Sequence, residues 1–240
     1  MYNQTVARLT YKALLGRRRA LILFALPLLL LVVAGTVRAT TGMDDEVTRE
    51  LLGGFAMATM VPLIGVVAGT GAIGPEIDDG SVVYLLAKPL RRSSIIFTKL
   101  LVAIAVTVVF SAVPTLLAGY LLNGNSQQIA VAYAVAAAVA SVAYSALFLL
   151  LGTVSRHAVV IGLVYALIWE ALFGSMVSGA RELSVQQWAL SLAQKVAGSG
   201  AGITSDVGLT TGLTLLLLAT VGGTWYASRR LRTLTLAGEE

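Results

Sequence analysis

The sequence predicts an all-α integral membrane protein with six transmembrane helices, and three observations carry that prediction. The chain has 240 residues, of which 57% are hydrophobic and 12% charged, with a mean hydropathy of +0.85. A soluble domain carries about twice that charged fraction, roughly 25%. Six apolar runs, near 20–37, 51–73, 95–122, 129–151, 158–178 and 207–228, each approach the ~20 residues needed to cross a hydrocarbon core. With six crossings, 13 of the 17 Lys and Arg residues fall on the side that also holds both termini. That asymmetry satisfies the positive-inside rule and predicts a multi-pass protein of the cytoplasmic (inner) membrane, with both termini cytoplasmic. No soluble segment is long enough to fold alone, so residues 1–240 form a single transmembrane domain.

Composition also excludes chemistry. There is no cysteine, hence no disulfide, thiolate metal site or Cys nucleophile. The single histidine, His157, stands in a short inner loop, Ser155-Arg156-His157. It leaves no His-based metal cluster and no Ser-His pair, so no catalytic residue and no metal site are expected. The net charge of +5 is placed to meet a membrane surface rather than nucleic acid.

Taken in order, residues 1–19 hold Arg8, Lys12, Arg17, Arg18 and Arg19, with Tyr2, Val6, Leu9 and Ala13 at helical spacing. This describes a basic amphipathic helix lying on the inner face of the membrane lipid. The run that follows exceeds the ~7–15 apolar residues of a signal peptide and is read as a retained first span. An acidic outer loop (Asp44, Asp45, Glu46, Glu50) leads to the second span. Pro27, Pro62 and Pro114 fall inside spans one to three, where each removes a backbone bond and bends its helix. Between spans five and six, Val185, Trp188, Ala189, Leu192 and Val196 share one helical face, and Gln186, Gln187, Ser191 and Lys195 the other. An interfacial or re-entrant outer helix is expected there.

Two glycine patterns need weighing. Gly69-Thr-Gly71-Ala-Ile-Gly74 fits a dinucleotide fingerprint, but it ends an apolar span and runs into Pro75, without the strand the motif requires. Pro75 and Glu76 also stand where a phosphate-binding loop needs Lys and Ser or Thr. Gly65 and Gly69, like Gly208 and Gly212, have the spacing that lets membrane helices approach closely, and packing within one bundle is the preferred reading.

Two candidate sites remain. Glu170 is the one acid well inside a span, where a charge costs about 2.5–3.5 kcal/mol on insertion scales. It is expected to be protonated, to face a wet cavity lining a translocation path, or to pair with polar neighbours. The other is the charged segment 76–101 between two apolar spans, with Glu76, Asp78 and Asp79 first and Lys88, Arg91, Arg92 and Lys99 after. Val82, Val83, Leu85 and Leu86 supply an apolar side for a short helix, bounded by Gly80 and Pro89. Such an element, tethered at both ends to spans, is suited to docking a soluble partner.

At this stretch the chain resembles the permease subunits of type-2 ABC transporters. The residues carrying the resemblance are Glu76, Gly80-Ser81, Leu85-Leu86, Pro89, Arg92, Ile95-Ile96 and Lys99, with Ser81 in place of the family's Thr. The resemblance implies a coupling helix at about 78–88 that docks on a separate ATP-binding subunit through Glu76, Asp78, Asp79, Gly80, Ser81, Tyr84, Leu85, Leu86, Lys88, Pro89 and Arg92. It implies two copies of that subunit, which would bind the ATP and Mg, this chain holding no cofactor of its own. It also implies a second permease copy, as homodimer or heterodimer, and export of a small molecule, lipid or drug-like substrate. Two alternatives stay open. One is a non-transport sensor or assembly factor that recruits a partner through the same loop. The other is a secondary transporter driven through Glu170.

Overall fold

In the computed structural model the described residues are 3–80, 92–174, 178–197 and 200–233, and all of their regular secondary structure is helical. Asn3 caps α1 (Gln4–Leu14) by accepting from the Thr5 and Val6 amides, as a short polar N-cap does. α2 (Arg17–Thr41) follows, with Pro27 inside it. The acids expected in an outer loop instead open a helix. Asp44 accepts from the Glu46 and Val47 amides and starts α3 (Asp45–Glu50), whose first turn is acidic as the helix dipole favours.

From α3 the chain runs on without a break through π-helical turns (Leu51–Met60) into α4 (Val61–Gly71). The wide turns end where Pro62 enters the first turn of α4. The proline ring has no N–H and crowds the carbonyl four residues back, which a wider turn accommodates. After α5 (Gly74–Asp78) the structure resumes with α6 (Arg92–Asn123), α7 (Ile129–Val154) and α8 (Ala158–Val164). A second π-helical stretch (Tyr165–Phe173) extends α8 and packs against the first. The short α9 (Ser178–Arg181), α10 (Val185–Ala197) and α11 (Leu209–Thr233) complete the chain.

Among the described residues, five helical stretches are long and apolar enough to cross a membrane: Ala20–Thr41, Asp45–Ile77, Ser93–Asn123, Ser126–Val154 and Leu209–Leu231. The remaining expected span, 158–178, is a shorter apolar helix, Ala158–Phe173. The chain is thus an all-α, multi-pass membrane protein. α7 is its centre, packed against α4, α6, α10 and α11, whereas α2 and α11 turn most of their apolar surface outward.

Small residues set these distances. A Cβ on Gly65 would lie 2.8 Å from Cβ of Tyr144, and one on Gly69 2.6 Å from Cβ of Phe148. Both glycines therefore serve α4–α7 packing inside one bundle, as their spacing suggested. The fingerprint-like run Gly69–Gly74 is accounted for by that contact. Of the second glycine pair only Gly212 is tight, its Cβ position 2.5 Å from Oγ of Ser191, while Gly208 faces open space.

Two helical faces differ from expectation. On α1 the buried residues are Val6, Ala7, Thr10 and Leu14, while Leu9 and Ala13 are exposed. The stripe is turned because Thr10 is drawn inward by a buried cation described below. On α10 the expected polar residues Gln186 and Ser191 are buried with Val185, Trp188 and Ala189. α10 is packed between α7 and α11, and there Gln186 Nε2 and the Ser191 hydroxyl donate to backbone carbonyls while Gln186 Oε1 is left without a partner among the described residues.

Candidate functional site

The stretch expected to dock a partner begins at Glu76, inside α5, and runs past the end of that helix. The Asp79 amide donates to the Pro75 carbonyl at 2.9 Å and the Gly80 amide to Ile77 at 3.2 Å. Gly80 takes a left-handed φ of 67°, the backbone state that stops a helix at least cost when no Cβ is present. Asp79 and Gly80 are exposed, Asp78 lies in α5 and Arg92 opens α6. Ser81, Tyr84, Leu85, Leu86, Lys88 and Pro89, with most of the expected coupling helix, fall outside the described residues.

What the structure adds is the joint beneath that stretch. Lys99, on the second turn of α6, is fully buried. Its ammonium donates to Oε1 of Glu76 at 2.7 Å, to the Ala72 carbonyl at 2.6 Å and to Oγ1 of Thr10 at 3.5 Å. The three acceptors come from α5, from the end of α4 and from α1. Three donor positions of one ammonium thus meet three separate elements, which satisfies the cation without water. A neighbouring contact reinforces the joint, the Asn3 amide donating to Oγ1 of Thr98 at 3.1 Å. Ile95 and Ile96, the apolar pair of the motif, are buried beside it.

The ion pair is asymmetric, since the Lys99 side chain is 0% exposed and that of Glu76 29%. A buried pair gains rigidity and register more than net stability, because desolvation offsets most of the attraction. It fixes the two ends of the loop to each other and to α1. The sequence places Lys99 among the inner bases and as the lysine of the family-like motif, without a partner for it. The signal that could have found the pair was the acid and the lysine standing at opposite ends of one polar insert.

Glu170 lies far from this joint in the chain and is fully buried. Its carboxyl group accepts from the Tyr165 hydroxyl at 2.7 Å and from the Ser184 hydroxyl. It also accepts from the amides of Val185 at 3.0 Å and Gln186 at 3.4 Å. Those two amides open α10, where unpaired N–H groups and the helix dipole favour a carboxyl partner. Of the environments open to Glu170, the structure shows the polar neighbours. Gln186 continues the network by donating from Nε2 to the Gly53 carbonyl at 3.0 Å, and so ties α10 to the first π-helical stretch. The turn before α10 is held by Trp188, whose Nε1 donates to the Glu182 carbonyl at 2.7 Å.

Beside this network an outward cavity of about 410 Å³ is lined by Gly53, Thr59, Arg181, Gln186, Gln187 and Asp206. Arg181 and Asp206 form an ion pair of 2.9 Å on its rim. Arg49 donates to the Ala201 carbonyl at 3.0 Å and Arg38 to the Leu122 carbonyl at 3.3 Å. The six-crossing count leaves Arg38, Arg49, Arg181 and Lys195 for the outer side, and the first three of these tie loops and helix ends together.

The fold and the joint define an all-α, multi-pass membrane protein in which a polar insert is pinned between two spans. The chain belongs to the ABC-2 family of transporter proteins, whose family model matches residues 5–228. No curated protein matches the chain. Membership makes it the permease subunit of an ABC transporter, a transport subunit that partners an ATP-binding subunit.

Proposed function

We propose that the chain is the force-receiving half of an ATP-driven exporter, in which displacement of residues 81–91 by the partner subunit enters the membrane through Lys99. The observation that carries this reading is the Lys99 joint. A push on the insert reaches Glu76 and Lys99 together, and the same ammonium holds α4 and α1. The two spans and the surface helix therefore receive the displacement as one body rather than absorbing it in a soft loop. The residues named for docking, Glu76 through Arg92, would meet the partner, with Asp79 exposed at the mouth. ATP and Mg would be bound and hydrolysed there, in two copies of the partner, while two permease copies flank the path. Both termini and the insert would lie on the cytoplasmic side of the inner membrane.

The cargo class this reading supports is a small, lipid or drug-like molecule. In a single chain Glu170 is closed off by α10, so it would reach a path only when α10 moves away. We assign it the role of holding α10 in place.

The test is a coupled assay on the permease co-purified with its ATP-binding subunit in vesicles. Lys99→Met should leave the complex assembled and hydrolysing ATP while transport falls. Transport per ATP equal to that of the unaltered complex would remove the Lys99 joint from the mechanism.

A further inference from the structure

α1 and α6 enclose a second, open groove of about 600 Å³, lined from α1 by Gln4, Ala7, Arg8 and Tyr11. Arg8 and Tyr11 line it from α1, and Ala105, Val109 and Phe110 from α6. Apart from Gln4, Arg8 and Tyr11, every lining residue is Ala, Val, Leu or Phe. The groove starts at the level where α1 is tied to Thr98 and Lys99 and follows α6 from Leu101 to Phe110. Ten helical residues rise ~15 Å, half of a ~30 Å hydrocarbon core. Its length is therefore that of one leaflet's acyl chains. Phe110 is fixed there by an edge-on contact with Phe24 of α2, ring centroids 4.8 Å apart.

The head of the groove carries charge of one sign. α1 contains Arg8 and Lys12 and no acid. Neither base forms an ion pair among the described residues, and both are exposed. Val109 and Tyr11 are more than half exposed, so the groove is open to a long apolar guest. We propose that this groove holds an anionic phospholipid, its phosphate on Arg8 and one acyl chain along α6 between Leu101 and Phe110. A neutral lipid would fill the apolar part but leave Arg8 without a counter-charge. A basic amphipathic helix recognises anionic lipid by that combination of burial and charge. The site does not depend on the transport reading, because it needs neither ATP nor the partner subunit.

Native mass spectrometry of the full chain, titrated in detergent with dioleoylphosphatidylglycerol or dioleoylphosphatidylcholine, tests it. The anionic lipid should bind more tightly, by about fivefold for one basic contact. Arg8→Gln should abolish that preference and leave phosphatidylcholine binding unchanged. Ala105→Trp, which fills the groove, should weaken both lipids, and Val109→Trp at the exposed wall does the same if the first variant fails to fold. Glycerol 3-phosphate, which has a phosphate but no acyl chain, should not displace the bound lipid. Equal binding of the two lipids by the unaltered chain, or a preference that survives Arg8→Gln, would overturn the proposal. So would a chain dimer that Ala105→Trp dissolves, which would give the groove to a second copy.

Discussion

Lys99 and Glu76 are 23 residues apart in the chain and 2.7 Å apart in space, and between them runs the whole polar insert. The lysine is sealed from solvent and the glutamate is not, so the two partners are not equivalent. Removing either one has a different physical consequence.

Glu76→Ala leaves a buried ammonium with only neutral acceptors, and the loss should approach the ~3–5 kcal/mol typical of breaking a buried pair. Lys99→Met leaves a carboxylate on a side chain that is partly exposed, although its Oε2 is itself buried, and should cost less, on the order of 1–2 kcal/mol. Thermal unfolding of the purified variants should rank them in that order, and the double variant should be milder than Glu76→Ala alone. The reverse ranking would mean the cation is not what the joint stabilises.

Glu170 sets the position of α10. Glu170→Gln keeps the shape but turns an amide donor toward groups that already donate, costing on the order of 1–3 kcal/mol. Hydrogen exchange should accelerate at Val185 and Gln186, at the head of α10, and stay unchanged across α1. Unchanged protection at those two amides would show that α10 stands without the carboxyl.

Close packing of α4 on α7 depends on the absence of a side chain at Gly69. Gly69→Ala places a methyl 2.6 Å from Phe148 Cβ and 3.0 Å from the Leu149 amide nitrogen. The backbone must move, at a cost of about 1–3 kcal/mol. Gly54→Ala, with nothing within 4 Å of its Cβ, should leave the unfolding temperature almost unchanged.

Asp79 is exposed beside Gly80, at the near end of the stretch proposed to dock the ATP-binding subunit. Asp79→Arg and Leu85→Asp should each reduce recovery of the ATP-binding subunit on co-purification, or leave it bound but uncoupled, without altering the permease's own unfolding temperature. Full recovery with undiminished coupling in both variants would detach the 76–92 stretch from docking.

Orientation is open to a direct measurement, because the chain has no cysteine of its own. In intact cells a membrane-impermeant thiol reagent should label Glu46→Cys and spare Asp79→Cys until the membrane is opened. Labelling of Asp79→Cys from outside would invert the topology and move the insert away from any cytoplasmic ATPase.

Much of the architecture was legible because it depends on local chemistry. A run of apolar residues must close its own backbone hydrogen bonds in lipid, so hydropathy alone located the helices. The exception is the run 158–178, whose described apolar helix, Ala158–Phe173, is shorter than a full span. Hydropathy reads apolar length and is blind to the hydrogen bonds that tie Glu170 of this helix to the start of α10. The inward turn of Thr10 on α1 and the burial of Gln186 and Ser191 on α10 were missed for a related reason. Periodicity sorts side chains by polarity, whereas each of these is buried with at least one hydrogen bond to the protein.

The sequence by itself determined that this is a helical membrane protein, where its apolar runs fall, which polar insert interrupts them, and that Gly65 and Gly69 pack against a neighbouring helix. Each of those follows from residues within one or two turns of each other. Only the tertiary structure decided that Lys99 reaches Glu76, Ala72 and Thr10, and that Glu170 seats the first turn of α10. Those contacts join elements far apart in the chain, and a charged group in a dry site takes whichever donors or acceptors the packed bundle brings to it.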